Sequence, residues 1–314
     1  MLLRAAGVTT RRSVPRFATR AGLRRSDDPS VAGARDRAPA ETTVVVWPDS
    51  FTEAFSPASG AELVRALSAL GESVAVPSGW ACCGRTLYDS GMLDLAKRSL
   101  RRLVSVLSPW VDAGVPVVVP EPSCLAAFRD ELPALLPGDP RANALASLAR
   151  SPAEHILEKG LQDRLGGAPV PEGSHRRAVL HPHCHQRSVV GTNADQAVLA
   201  ALGYEVEVLD AGCCGLAGSY GFDPRTEAIS RKIGDELWLP KVRAALAGDG
   251  TGCGPLAGGD AGSGAALDGA LLVCDGFSCR TQLEHLGPEL VGSVATLPGL
   301  LALATGCADE AQIG

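Results

Sequence analysis

Two adjacent cysteines followed by glycine occur twice in this chain, as Cys82-Cys83-Gly84 and Cys213-Cys214-Gly215. At the chain's own cysteine and glycine frequencies, about 0.04 such triplets are expected by chance. Thiolates bind soft metals and attack disulfides, so the pairing points to one of those chemistries. The chain has 314 residues and ten cysteines. Disulfide frameworks belong mainly to small secreted domains, and no stretch here reads as a secretory leader, so clustered thiols favour metal, cluster or redox chemistry. Cys253 and Cys307 stand apart and are expected to be buried apolar fillers.

The second half is the richer in sulfur. Cys184, Cys213, Cys214 and Cys279 suffice for one cluster or one tetrahedral ion, and Cys274 is a fifth sulfur nearby. Zinc and iron–sulfur clusters both select thiolates. Adjacent ligands are awkward for structural zinc, which usually spaces its cysteines by roughly two to four residues, so a multi-iron cluster is the expectation and zinc the alternative. The first half offers Cys82, Cys83 and Cys124, with Ser50 standing where Cys184 stands in the second. With Glu121 or Asp49 as the only further donors, a labile cluster or none is expected there. His181, His183 and His185 surround Cys184 and read either as ligands or as groups that orient a cysteine. Arg85, Arg187 and Arg280 follow cysteines closely and read as offsets to a cluster's charge, as anchors for an anionic substrate, or as solvated side chains.

The elements that would position these residues repeat. "TTVVVW" (42–47) suits a buried parallel strand. Leu63, Ala66, Leu67 and Leu70 recur at helical spacing, with Gly71 as the stop. "SVAVP" (73–77) makes a second strand that feeds the first Cys-Cys-Gly loop. Leu93, Ala96, Leu100, Leu103, Val104 and Leu107 form the face of a long helix, and "VPVVVPEPSC" makes a third strand ending at Cys124. The second half repeats the order: "RRAVLHPHCH", "AVLAALGYEVEVLDAGCCG" and "ALLVCDGFSC" match the first-half segments in turn. Such alternation predicts an α/β fold with two parallel, Rossmann-like sheets. Its cysteines would gather at the carboxyl ends of the strands, where ligands of open parallel sheets sit. Residues 41–137 and 176–307 are the two expected domains and 138–175 the connector, with a helix around 153–159. The stretch 247–269, with nine glycines in 23 residues, reads as a mobile surface insert. Residues 1–40 read as a disordered basic segment, because residues 1–25 hold seven arginines and no acid; a linker or a mitochondrial presequence has that composition.

These residues carry a resemblance. "HCH", "GCCG" and "GFSC" resemble the cysteine-rich CCG family, found in heterodisulfide reductase and in the iron–sulfur subunits of glycolate oxidase and anaerobic glycerol-3-phosphate dehydrogenase. The family pattern is a cysteine, a Cys-Cys-Gly and a Cys-x-x-Cys, usually in two copies; Gly276 and Glu121 stand at the first cysteine of the last motif. "CCGRTLYDSGMLDLAKRSL", "EPSCLAAFRDEL", "HPHCHQRSVVG", "GCCGLAGSYGF" and "DGFSCRTQLEHL" are similar to the carboxy-terminal region of fused FAD-linked D-lactate and D-2-hydroxyglutarate dehydrogenase-like oxidases. The resemblance implies a 4Fe-4S cluster on Cys184, Cys213, Cys214 and Cys279, with Cys82, Cys83 and Cys124 as the reduced second set. It implies electron transfer from FAD, on a partner subunit or a missing amino-terminal domain, to a quinone or cytochrome acceptor. The chain lacks a flavin domain of its own, so it reads as a split subunit or a truncated product, not active alone. A zinc-stabilised interaction subunit and heterodisulfide-type thiol chemistry are the alternatives. The net charge of −6 argues against nucleic acid as a partner. No apolar run reaches the roughly 18–20 residues of a membrane span, so the expectation is a cytoplasmic protein, free or peripheral to the inner membrane.

Overall fold

The computed structural model describes residues 7–19, 22–165, 177–248 and 270–307. Two four-stranded sheets, both wholly parallel, make up the frame. In the first, β1 (Val44–Val46), β2 (Val74–Ala75), β3 (Val117–Val118) and β4 (Ala149–Arg150) lie in the order β2-β1-β3-β4. In the second, β5 (Arg177–Leu180), β6 (Glu205–Val208), β7 (Leu271–Val273) and β8 (Val294–Ala295) lie in the order β6-β5-β7-β8. The repeat read in the sequence is therefore a repeat of topology, and the expected α/β architecture of two parallel sheets is what forms.

The β-branched runs are buried on both faces, as parallel strands under helices must be. Alternation divides the faces. Val44, Val46, Val74 and Val118 of the first sheet and Ala178, Leu180, Val273 and Ala295 of the second point into one shared core. Val45, Trp47, Ala75, Val117 and Val119 face a core whose buried residues all come from the first half, with Val190 of the second half packed against it, and Val179, Leu209, Leu272 and Cys274 a core of the second.

The shared core is closed by an exchange of helices. The helix Leu297–Ala304, which follows β8, packs on the helix Pro57–Ala69 of the first half. Reciprocally, the helix Pro152–Glu158, which follows β4, packs on Asn193–Ala201 of the second half. Ser151 starts Pro152–Glu158 with a reciprocal capping box to Glu154. The stretch 138–175, expected to be a connector, thus supplies a strand to the first sheet and a helix to the second half. The periodic face at residues 93–107 forms the helix Leu93–Asp112, with Leu100, Leu103 and Leu107 fully buried.

The amino-terminal segment departs from the expected disorder. Thr9 donates its backbone N–H to Phe222 O at 2.7 Å, Arg12 is buried, and Leu23 is buried against Gly60. Arg24 pairs with Glu53 at 2.7 Å, and Phe17 stacks on Phe55. Basic composition suggested a solvated tail, but specific acceptors on the folded body hold these residues. Most of the glycine-rich insert and Cys253 lie outside the described residues. Among those described, no helix is long and apolar enough to cross a membrane.

Candidate metal centre

Three strand ends feed one site in the second half. β5 ends at Leu180, and the chain passes through His181, Pro182, His183 and Cys184 into the helical turn Gln186–Val190. β6 ends at Val208 and leads to Cys213-Cys214-Gly215. β7 ends at Val273, Cys274 follows it, and Cys279 lies in the first turn of the helix Phe277–Leu286. Because the strands are parallel and in register, their ends lie on one sheet edge, and the thiols meet there. Cys184 interacts with Cys213, Cys213 with Cys214, Cys214 with Cys279, and Cys279 with Cys274.

Each Cys-Cys-Gly loop turns on its glycine. Gly84 has φ 77° and Gly215 φ 91°, values that favour residues without Cβ. Their backbone N–H groups donate back to the first sulfur of each pair, at 3.5 Å to Cys82 and 3.3 Å to Cys213. Cys213 is the exposed member of the group. Its pKa is drawn down because Cys184 and then Cys214 donate to its sulfur. The same contacts with Cys213 push Cys184 up and Cys214 up to about 12, and contact with Cys214 and Cys274 together with burial raises Cys279. Among these, Cys213 is the thiol most readily deprotonated, and its neighbours hold their protons.

The imidazoles extend the donor set. Burial pushes His181 and His185 down to about 4, so both are neutral near pH 7. Trp238 Nε1 donates to His181 Nδ1 at 3.4 Å; His181 Nε2 and His185 Nδ1 are buried without a hydrogen-bond partner among the described residues. Unpartnered buried nitrogens are costly in a core. Beside five sulfurs they are donors suited to a thiolate-bound iron–sulfur group, and the residues present fit one.

The first half does not complete such a set. Cys83 donates to Cys124 across 3.2 Å, and Cys82 contacts Cys83 and Ser50. Burial raises Cys124 to about 12. Both carboxylates considered as extra donors are spent on helix starts. Asp49 accepts from Phe51 N and Thr52 N, each at 2.9 Å, and from Thr52 Oγ1 at 2.5 Å. Glu121 accepts from Ser123 Oγ at 2.8 Å and, across the two halves, from Phe277 N at 3.0 Å.

The arginines are tied down as well. Arg85 is buried in a two-pronged pair with Glu131; Arg187 bonds Asp210 at 2.8 Å; Arg280 donates to Asp275 O at 2.9 Å and to Ser56 Oγ at 3.4 Å. Cys307 is half-buried, and its thiol donates to Thr305 O. Sequence reasoning missed the brace behind Cys214. Gln282 Nε2 donates to Cys214 O at 2.8 Å, and Arg12 holds Gln282 Oε1 at 2.5 Å and Ser230 Oγ at 3.0 Å. The position of Gln282, one turn beyond Cys279 on the same helix, was the available signal. Nothing in a run of arginines distinguishes Arg12.

The cysteine-rich domain family designated CCG matches residues 50–129 and 178–241, the segments that carry both loops. The chain is 31% identical over 185 residues to a subunit of the anaerobic glycerol-3-phosphate dehydrogenase of Escherichia coli, covering 58% of this chain and 45% of that one. It is 31% identical over 182 residues to lactate utilization protein A of Bacillus subtilis, covering 56% of this chain and 73% of that one. With the D-2-hydroxyglutarate dehydrogenase of Pseudomonas putida the identity is 27% over 262 residues, 82% of this chain but 22% of the relative. The match thus spans less than half of the glycerol-3-phosphate dehydrogenase subunit and about a fifth of the hydroxyglutarate dehydrogenase.

Proposed function

This chain belongs to the cysteine-rich CCG family, and from that premise we propose that it is an iron–sulfur electron-transfer module of an FAD-linked 2-hydroxy-acid oxidoreductase. The observation that carries the reading is the meeting of Cys184, Cys213, Cys214 and Cys279 from three separate strand ends. These four thiols would hold a 4Fe-4S cluster, which when bound supplies one-electron transfer between a partner's flavin and a quinone or cytochrome.

The chain's own residues do the rest. The Gly215 N–H bond to Cys213 and the Gln282 bond to Cys214 O fix the paired cysteines. Burial of Cys214, Cys274 and Cys279 keeps water from the inner side, while exposed Cys213 marks the side from which electrons enter or leave. Two relatives are named for dehydrogenases, one as a subunit of anaerobic glycerol-3-phosphate dehydrogenase and one as D-2-hydroxyglutarate dehydrogenase; these names support a dehydrogenase partner, and the proposal places the flavin there. The first half serves as a binding surface beside the cluster and holds no metal of its own, because three thiols stand alone there.

Anaerobic purification tests this. The expected protein is brown, with roughly four irons per chain, and Cys213→Ser and Cys214→Ser each lose them. Colourless protein with stoichiometric zinc would replace the electron-transfer reading with a structural metal site.

A further inference from the structure

Gly276 is the N-cap of the helix Phe277–Leu286, and a side chain at an N-cap reaches back over the first turn toward the third helical residue, which here is Cys279. Position 276 is glycine, and the space is already filled. A Cβ built on Gly276 would lie 2.5 Å from His183 Cδ2, 3.2 Å from Cγ and 3.3 Å from Cβ. The His183 ring therefore rests against the start of the Phe277–Leu286 helix, in the volume that a fifth projecting ligand would occupy, and only glycine admits it there.

The ring is also aimed at sulfur. His183 Nδ1 stands 3.9 Å from Cys184 Sγ, and ligand atoms of His183, Cys184 and His185 all lie within 4.8 Å of one another. Nδ1 accepts the backbone N–H of His185 at 3.2 Å, which places the ring proton on Nε2 and leaves the lone pair on the nitrogen facing the cysteine. Gln186 Oε1 accepts the His183 backbone N–H at 3.3 Å and in turn anchors through Nε2 to Asp195 at 3.0 Å. The loop is thus held from behind, and the ring itself is 6% exposed.

We propose that His183 Nδ1 is a ligand to one iron of the cluster held by Cys184, Cys213, Cys214 and Cys279. This inference rests on the iron–sulfur reading above. In place of the weak bond to the His185 amide, the lone pair goes to iron, and no proton is released, unlike the thiols, which must each shed one. A neutral imidazole standing where the five-cysteine pattern has a further thiolate, at the position of Gly276, leaves the cluster less negative than that pattern would and raises its reduction potential.

The full chain, purified anaerobically with its own iron and with ¹⁵N-labelled histidine, decides the matter by pulsed paramagnetic resonance of the reduced form. The expected result is a ¹⁵N coupling of directly bound nitrogen, lost in His183→Ala together with part of the iron. The double variant His183→Ala/Gly276→Cys, which replaces the ring with a sulfur in the same space, is expected to regain iron without the nitrogen coupling and with a lower potential. A structural role for His183 would not produce that coupling. Wild-type protein that holds four irons but shows no nitrogen coupling, or a coupling that survives in His183→Ala, overturns His183 as a ligand and leaves the iron–sulfur reading intact. Wild-type protein without iron overturns both.

Discussion

Asp195 is a carboxyl group placed where charge is expensive. It is 3% exposed, and burial, reinforced by the neighbouring Asp275 carboxyl, pushes its pKa up to about 7. Gln186 Nε2 donates to Asp195 at 3.0 Å, and Gln186 Oε1 accepts the His183 backbone N–H. An acid whose pKa is higher in the folded chain than in the unfolded one, about 3.9, binds its proton more tightly when folded. Its contribution to stability is fully present below about pH 4, is lost as the pH rises to about 7, and is constant above that. Each pKa unit is worth about 1.4 kcal/mol, so Asp195→Asn, which still accepts from Gln186, should be more stable than the parent by about 2–4 kcal/mol at pH 8. That margin should shrink at pH 5. Urea unfolding at both values reads it, and two variants differing by the same amount at both would refute the assignment. His181 and His185, held down to about 4 by burial, give slopes of the opposite sign between about pH 4 and 6.5, but parent and variant share both, so they cancel in the difference.

At the scale of elements, the two Cys-Cys-Gly turns look interchangeable in sequence and are not. Around Gly84 a Cβ meets nothing closer than 3.4 Å, so Gly84→Ala carries only the strain of a left-handed backbone, about 1–2 kcal/mol. At Gly215 a Cβ would sit 2.6 Å from Ser230 O and 2.9 Å from Ile233 Cβ. Backbone cannot step aside cheaply, and Ser230 O also accepts from Gln282 Nε2. Gly215→Ala should therefore cost about 3 kcal/mol or more and reduce bound iron, while Gly84→Ala leaves iron content unchanged. Thermal unfolding with iron analysis compares them; equal effects would mean that the turns are equivalent after all.

The turn itself was legible because glycine after paired cysteines is a local signal, and the strands of the repeat were legible from runs such as Val44–Val46. β4 and β8 were not: β2 and β3 are as short but sit in valine-rich runs, whereas Ala149–Arg150 and Val294–Ala295 have no such run around them. Nor was the commitment of Asp49 and Glu121 to helix starts, because capping and metal ligation draw on the same residue types. The cysteine group could be read at a distance because sulfur is rare in this chain. The brace of Arg12, Gln282 and Ser230 uses common side chains, and only the packing of distant segments brings them together.

At the scale of the whole molecule, the exchange of helices makes each half incomplete. Leu297, Leu300 and Leu301 are buried in the shared core with Leu63, Val64 and Leu67, and Ala153 and Ile156 lie in it with Val198 and Leu199. Fully burying one leucine is worth about 2 kcal/mol, so separating the halves strips several such contributions from a total stability of roughly 5–15 kcal/mol. Glu121 adds a polar tie across the same boundary at Phe277 N, beside the stacked rings of Phe51, Phe55 and Phe277. A chain divided between Leu165 and Arg177 should therefore give two fragments that aggregate when made singly and copurify as one folded complex when made together. Size-exclusion chromatography and circular dichroism distinguish the outcomes, and a monomeric second half that melts cooperatively alone would refute the interdependence. If that interdependence holds, the first half has a structural function whatever its own Cys-Cys-Gly loop holds: it closes the core on which the second half's cysteine-bearing strands are mounted.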